Sequence, residues 1–403
     1  MLFAYLCLFC SCITEKTEIM YKRHESVQLS ECKSDDRIIN TADYGFREFF
    51  PETKSIRNVD SVFFVTIENG DTLLAVINYK NDSGFAIIST DHGNATILGI
   101  FDNGNFDDNY RDNLAFKICY EELIENQKRE HIQHHSNKRS DESYNITSTI
   151  TSRNSIGPLI TVNWGQDAPF DLYSPNSNDS KAGCTPIAIA QVMSYFEYPN
   201  ALRITYADDI QSQIILDWSD MKTHNGNTFC SPICETCKTL SLLLREIGHK
   251  CNANYYDDET GAWPYAEYLS KLGYKCKQHD SFDLDAIETF LWEYRLALLC
   301  GFRPTGGGHT WVVDGVKNIL YKNSYYLENS DGTRTEVYSE NCKDTYLHFN
   351  FGWYGSGNGF ILCQIEKECN GTITYPKRLF SGTYTDIRLQ ISNLRPNAAA
   401  REI

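Results

Sequence analysis

Cys184, His309, Asn350 and Gln166 are the residues of this chain whose types and settings could carry covalent chemistry at a carbonyl carbon. Cys184 stands in Lys181-Ala182-Gly183-Cys184-Thr185-Pro186, where a loop gives way to apolar residues at helical spacing. Proline is tolerated in a first helical turn, so Cys184 sits near a helix N-terminus, where unpaired N–H groups and the positive end of the dipole favour a thiolate. Such a cysteine can serve as a nucleophile or remain an inert structural residue. His309 follows Gly306-Gly307-Gly308 and opens the β-branched run Thr310-Trp311-Val312-Val313. That run reads as a buried strand, so the imidazole would be held rigidly at the strand's mouth, able to take a proton from a thiol. Asn350 ends a strand-like run and leads into Phe351-Gly352-Trp353-Tyr354-Gly355. A neutral amide there can orient an imidazole without competing for its proton. Gln166, in Asn163-Trp164-Gly165-Gln166, can donate to the oxyanion of a tetrahedral intermediate together with the Cys184 backbone N–H.

These four residues lie far apart in sequence, so the fold must gather them. A helix starting at Cys184 and amphipathic segments at 237–247 and 264–271 are expected on one side, with strands at 297–302, 309–316, 324–327 and 346–351 on the other and the site between them. Asp314 is the alternative orienting group for His309. It lies five residues further along the same strand, which turns its side chain to the opposite face and favours a structural role.

Residues 158–396 resemble the streptopain family of papain-like cysteine proteases. The resemblance is carried by Gln166 followed by Asp167-Ala168-Pro169-Phe170, by Gly183-Cys184 with Ala190-Gln191 and Tyr198-Pro199, by Asp217-Trp218, by Gly308-His309 with Val313-Asp314-Gly315, and by Asn350-Phe351-Gly352-Trp353. It implies an α+β fold: a papain-like two-lobed cysteine protease domain preceded by a small α+β inhibitory propeptide domain. It also implies that Cys184 is the nucleophile, His309 its base, Gln166 the oxyanion donor and Asn350 the histidine-orienting residue. Trp353 would shield the histidine–asparagine contact, with Gly183 and Gly308 beside the site. Two departures are visible: Phe351 stands where the family usually has tryptophan, and Thr185-Pro186-Ile187 replaces a smaller, proline-free set. Neither removes a group the chemistry needs. The acidic 257–263 segment matches the family's glycine-rich substrate wall, so the wall differs here.

The N-terminal part fits the same scheme. The 61–67 and 73–79 runs read as strands, and 82–91 with 95–99 resembles the inhibitory propeptide. The expected organisation is 1–12 export segment, 13–125 inhibitory propeptide, 126–157 exposed linker carrying the maturation cleavage, and 158–403 protease domain. The 126–145 stretch is polar, which favours a solvated, cleavable segment and a solvated reading of His131, His134 and His135 over a metal tract. The first twelve residues form an apolar run too short to span a bilayer, which reads as a signal-peptide core. Ser11-Cys12 resembles a lipoprotein processing site with a lipid anchor at Cys12, ordinary signal cleavage being the alternative. The expected location is secreted or on a bacterial cell surface.

A formal net charge of −16 over 403 residues excludes the concentrated basic surface that nucleic acid requires. The expected partners are protein or peptide substrates and the chain's own propeptide, with no cofactor and no metal at the site. Of 15 cysteines, Cys230, Cys234 and Cys237 form the dense cluster. In an exported chain it reads as tying down an insertion remote from the chemistry, by disulfides, with unbonded thiols or a metal as alternatives. Endopeptidase is the leading functional reading. The alternatives are a papain-like acyltransferase of the transglutaminase type, whose sites usually orient histidine with aspartate, and an inactive peptide-binding homologue, against which the intact four-residue set argues.

Overall fold

The computed structural model describes residues 33–396 except 53–56, 68–70, 91–94, 138–143, 176–179, 206–212, 226–232, 257–258, 263, 265, 304–306 and 381–385. The export segment with Cys12, Cys230 and residues 257, 258 and 263 of the acidic wall segment therefore lie outside the described residues.

The N-terminal part runs α1 (Lys33–Phe49), β1 (Val59–Thr66), β2 (Thr72–Tyr79), β3 (Phe85–Ser89), β4 (Thr96–Phe101), α2 (Phe106–Asp112), α3 (Leu114–Asn137) and β5 (Asn145–Ile156). Then come α4 (Cys184–Phe196), β6 (Ala201–Leu202), β7 (Ile214–Ile215), α5 (Trp218–Met221), α6 (Glu235–Lys250), β8 (Asn254–Tyr256), β9 (Glu259–Gly261), α7 (Ala266–Lys271), β10 (Tyr274–His279) and α8 (Leu284–Leu291). The remainder is β11 (Leu296–Phe302), β12 (Gly308–Glu328), β13 (Arg334–Asn350), β14 (Gly359–Cys369), β15 (Thr372–Arg378) and β16 (Asp386–Pro396).

One antiparallel sheet organises the molecule, in the order β1-β2-β3-β4-β14-β13-β12-β11-β16-β10, with β15 on β14 and β5 on β12. Period-2 alternation assigns the two faces. On β11 and β12, Ala297, Leu299, Trp311 and Val313 join a core shared with α1, β1–β4, α3 and α8, whereas Leu296, Leu298, Cys300 and Val312 join a second core with α4, α6 and α7. The expected α+β arrangement, with the nucleophile's helix against the histidine strand, is what the fold shows.

The N-terminal module and the protease region share one sheet and an apolar core: β4 pairs with β14, Phe101 opposite Gly359 and Ile100 opposite Phe360. Two expectations need correction. Residues 126–137 of the expected exposed linker 126–157 are helical and partly buried. Helix α3 continues to Asn137 and buries Asn126, Gln127 and His131, because that helix face lies on β2 and β12. His131 is accordingly not solvated; its Nε2 lies 3.0 Å from Asp71 Oδ2. Strand β5 keeps the expected exposure, paired to β12 along one edge and exposed over nearly its whole length. Finally, the strands expected at 309–316 and 324–327 are one 21-residue strand, since its middle is sandwiched between β5 and β13 and needs no apolar side chains to hold its register.

Candidate active site

Helix α4 begins at Cys184, and the residue before it, Gly183, has φ +95°, a backbone conformation that L side chains rarely adopt. Two backbone bonds fix this start: Ile187 N donates to Gly183 O at 3.2 Å, and Ala182 N donates to Gln166 O at 2.9 Å. The second bond places the Gln166 segment directly beside the loop that delivers Cys184. Cys184 and Asn350 are 2 % exposed, and Gln166 and His309 are fully buried.

Gly308 opens β12 and His309 follows, opposite Gly301 of β11. Thr185 and Thr310, the residues just after Cys184 and His309, meet through their hydroxyls at 2.8 Å, and Thr185 Oγ1 also donates to Ala262 O at 3.0 Å. The helix of the thiol and the strand of the imidazole are thus joined one residue away from each reactive group. His309 Nε2 lies 3.0 Å from the carbonyl oxygen of Phe351. A carbonyl oxygen only accepts, so Nε2 carries the hydrogen and Nδ1 is the nitrogen left to take a proton.

Asn350 Oδ1 accepts from Gln191 Nε2 at 3.0 Å and from Gly352 N at 3.1 Å, and its Nδ2 points to Val162 O at 3.5 Å. Gln191 lies seven residues beyond Cys184 on the same stripe of α4. Gly352 has φ +67°, and a Cβ there would stand 2.8 Å from Ile187 Cγ2, so only glycine lets the 350–352 turn settle on α4. Asn350 therefore shapes the turn whose next carbonyl, that of Phe351, meets the imidazole. Trp353 is half-buried with Lys181 Nζ 5.5 Å from its ring centre, and Lys181 pairs with Asp167 Oδ1 at 3.1 Å. This places the tryptophan beside the segments leading to both Cys184 and Gln166.

Asp314 takes no part in this cluster. Its Oδ1 lies 2.6 Å from His348 Nδ1 and its Oδ2 accepts from Ile160 N at 2.9 Å, so it ties the start of the protease region to β12 and β13. Thr185, Thr310, Gln191 and the Phe351 carbonyl were not anticipated. For Thr185 the sequence showed only a departure from a pattern, and a backbone carbonyl leaves no mark in a sequence at all.

The N-terminal module grips both loops that flank His309. Arg303 Nε and Nη2 donate to Glu121 Oε2 and Oε1 of α3 at 2.8 and 3.0 Å in a buried bidentate pair. The Leu114 side chain lies over Gly307. On the other loop, Asn109 Nδ2 donates to Ser356 Oγ at 3.0 Å, Asn113 Nδ2 to Ser356 O at 3.3 Å, and Gly357 N to Asn103 O at 3.3 Å.

Comparison with known proteins bears on this arrangement. The Peptidase C10 family matches residues 164–361, which hold all four expected site residues. The thiol protease/hemagglutinin PrtT of Porphyromonas gingivalis is 23% identical over 335 residues, covering 76% of this chain and 35% of that protein. Streptopain of Streptococcus pyogenes is 30% identical over 132 residues, 29% of this chain and 31% of that protein. The chain thus spans about a third of the length of the curated relatives it matches. A fragment of Prevotella intermedia prointerpain A matches in fold with a TM-score of 0.52 at 17% identity, covering 84% of this chain and 98% of the fragment. That likeness in fold covers most of the chain, and the region 164–361 belongs to the Peptidase C10 family, the family of streptopain-like cysteine proteases.

Proposed function

We propose that this protein is a cysteine endopeptidase made as a zymogen, with Cys184 as nucleophile, His309 as base and Gln166 as oxyanion donor. The observation that carries the reading is the joint between α4 and β12. The helix that starts at the thiol and the strand that starts at the imidazole are joined through Thr185 and Thr310, and the Phe351 carbonyl beside Nε2 leaves Nδ1 to act. In this mechanism Nδ1 takes the Cys184 proton as Sγ attacks the scissile carbonyl carbon. The oxyanion is held by the Gln166 amide and the Cys184 backbone N–H. Collapse breaks the C–N bond; Nδ1–H gives its proton to the leaving amine and a thioester remains. Water, deprotonated by Nδ1, then hydrolyses the thioester and restores the thiol. Asn350 is a positioning residue in this scheme, since it sets the turn that presents the Phe351 carbonyl.

An acyltransferase of the transglutaminase type is disfavoured by Asp314, whose carboxylate is committed to His348 and Ile160. The zymogen reading is supported by the grip of α2 and α3 on the loops at 303–309 and 351–358 and by the nearly complete burial of Cys184. We take the maturation cut to fall after α3, between residues 138 and 157, a reading supported by the helix running on to Asn137. Substrates are proteins or peptides. Export, with a lipid at Cys12 in the surface-anchored form, is carried by the apolar 1–12 run, and intact mass of the mature and unprocessed proteins tests it. The functional test is casein hydrolysis by the processed chain with and without iodoacetamide. Loss of hydrolysis in step with labelling of Cys184 is expected; hydrolysis that survives full Cys184 labelling would overturn the reading.

A further inference from the structure

Among the described residues, metal-ligating side chains converge at one place that includes none of the four expected site residues. Cys234 is the N-cap of α6, Cys237 lies in the helix's first turn, and His224 follows α5. The two sulfurs and a His224 ring nitrogen lie within 4.8 Å of one another. Cys234 Sγ is 3.2 Å from His224 Nε2 and accepts from Cys237 N at 3.3 Å. No disulfide joins the described cysteines, and Cys234 and Cys237 are both thiols.

The histidine is already oriented as a ligand. His224 Nδ1 lies 3.1 Å from Asp220 O and 3.1 Å from Thr223 Oγ1. Thr223 Oγ1 itself donates to Asp220 O at 2.7 Å, so both oxygens accept from Nδ1–H and the Nε2 lone pair is turned toward the sulfur. A metal-bound histidine characteristically has this outer partner, its second nitrogen donating to a backbone carbonyl. Tetrahedral zinc with bonds of about 2.3 Å to sulfur and 2.0–2.1 Å to nitrogen needs ligand edges of about 3.5 Å between sulfur and nitrogen and about 3.8 Å between sulfurs; the Cys234–His224 edge of 3.2 Å is near this, and the other two, no longer than 4.8 Å, reach it with side-chain shifts of at most about 1.3 Å. Mixed thiolate and imidazole ligands select zinc among common divalent ions.

We propose that His224, Cys234 and Cys237 supply three of the four ligands of a structural zinc ion. Binding releases the two thiol protons and leaves two thiolates and one neutral imidazole around the ion. The ion staples the end of α5 to the start of α6, and its effect extends toward the active site. Trp164 Nε1 donates to His224 O at 2.9 Å and Asn163 N donates to Asn225 Oδ1 at 2.9 Å, so the segment that ends at Gln166 hangs on the backbone the ion would hold.

The test uses the full-length Cys184→Ala chain, so that the active-site thiol cannot bind metal. Metal analysis after exchange against zinc should find one zinc per chain, and cobalt in its place should give the near-ultraviolet band of thiolate-to-cobalt charge transfer. Cys234→Ser, with its circular dichroism unchanged, should lose the band and weaken zinc binding at least about tenfold. Thr223→Val, which disturbs only the outer partner, should weaken it by about 10- to 100-fold. A chain that binds no zinc, binding unaffected by Cys234→Ser, or a Cys234–Cys237 disulfide found by mass would each overturn the proposal.

Discussion

A thiol at the first residue of a helix gains its reactivity from position, and the other cysteines of this protein show the contrast. Burial pushes the thiols of Cys251 and Cys342 up to about 12 and that of Cys276 up to about 11. At neutral pH these three are protonated and slow to alkylate, so iodoacetamide should modify Cys184 of the processed chain well before any of them, as peptide mapping by mass spectrometry will show; even labelling across the four would refute the assignment. Gln166→Ala should lower kcat by about 10²- to 10³-fold with KM little changed, whereas a change confined to KM would make Gln166 a binding residue. Asn350→Ala should lose less than His309→Ala, because the amide acts through the turn that carries Phe351. At this scale the sequence was a good guide to side chains that do chemistry, since few residue types can attack, take a proton or hold an oxyanion. It was silent on what orients them. Cys184 and His309 could be picked from motifs, but the Thr185–Thr310 contact joins residues 125 positions apart, and only the folded chain brings them together.

Elements, taken one scale up, decide whether those side chains meet. Thr185→Val keeps the volume but removes both hydroxyl contacts of Thr185; Thr310 Oγ1 keeps Cys300 Sγ at 2.9 Å, while the Ala262 carbonyl loses its Thr185 donor, at a cost of about 1–3 kcal/mol. We expect reduced kcat, a small change in KM and an intact fold; unchanged kcat would show that the α4–β12 joint does not set the geometry. The Glu121–Arg303 pair joins α3 to the loop before His309. Truncating one partner of a buried pair strands the other charge at a cost of about 3–5 kcal/mol. Glu121→Ala should therefore loosen the module and raise casein hydrolysis by the unprocessed chain, and no rise would remove this pair from the inhibitory contact. Strand periodicity was legible for β1, β2, β11 and the start of β12, where alternation or apolar runs reflect burial. It failed over 126–137, because a polar helix face was taken as solvent-facing although the sheet receives it through Gln127 and His131.

For the whole molecule, the shared sheet has consequences for maturation and for stability. Because β4 pairs with β14 and the module contributes Phe49, Phe50 and Phe101 to the core around Phe360, cutting between 138 and 157 should not by itself separate the pieces. The cut fragments should co-elute on size exclusion, and the module should inhibit when added back in trans; free dissociation on cutting would contradict the shared core. Asp344, in the central strand β13, is pushed up to about 6 by burial, with the Tyr321 hydroxyl donating to it at 3.0 Å. A carboxyl raised in the folded state contributes stability that is full below about pH 4 and lost as pH rises through about 6. The loss is on the order of 2–3 kcal/mol, and Asp344→Asn should flatten that part of the stability profile in denaturant titrations. None of this was visible from composition, since the two modules are joined by contacts between distant residues, among them a strand pair about 260 positions apart. The central claim is that one thiol performs the hydrolysis. The direct measurement is the casein-cleavage rate of the Cys184→Ala chain, cut at the wild-type maturation bond by an added protease that is then removed, against the processed wild type. The account predicts no cleavage above background with an unchanged circular dichroism spectrum; cleavage within about tenfold of the wild-type rate would contradict it.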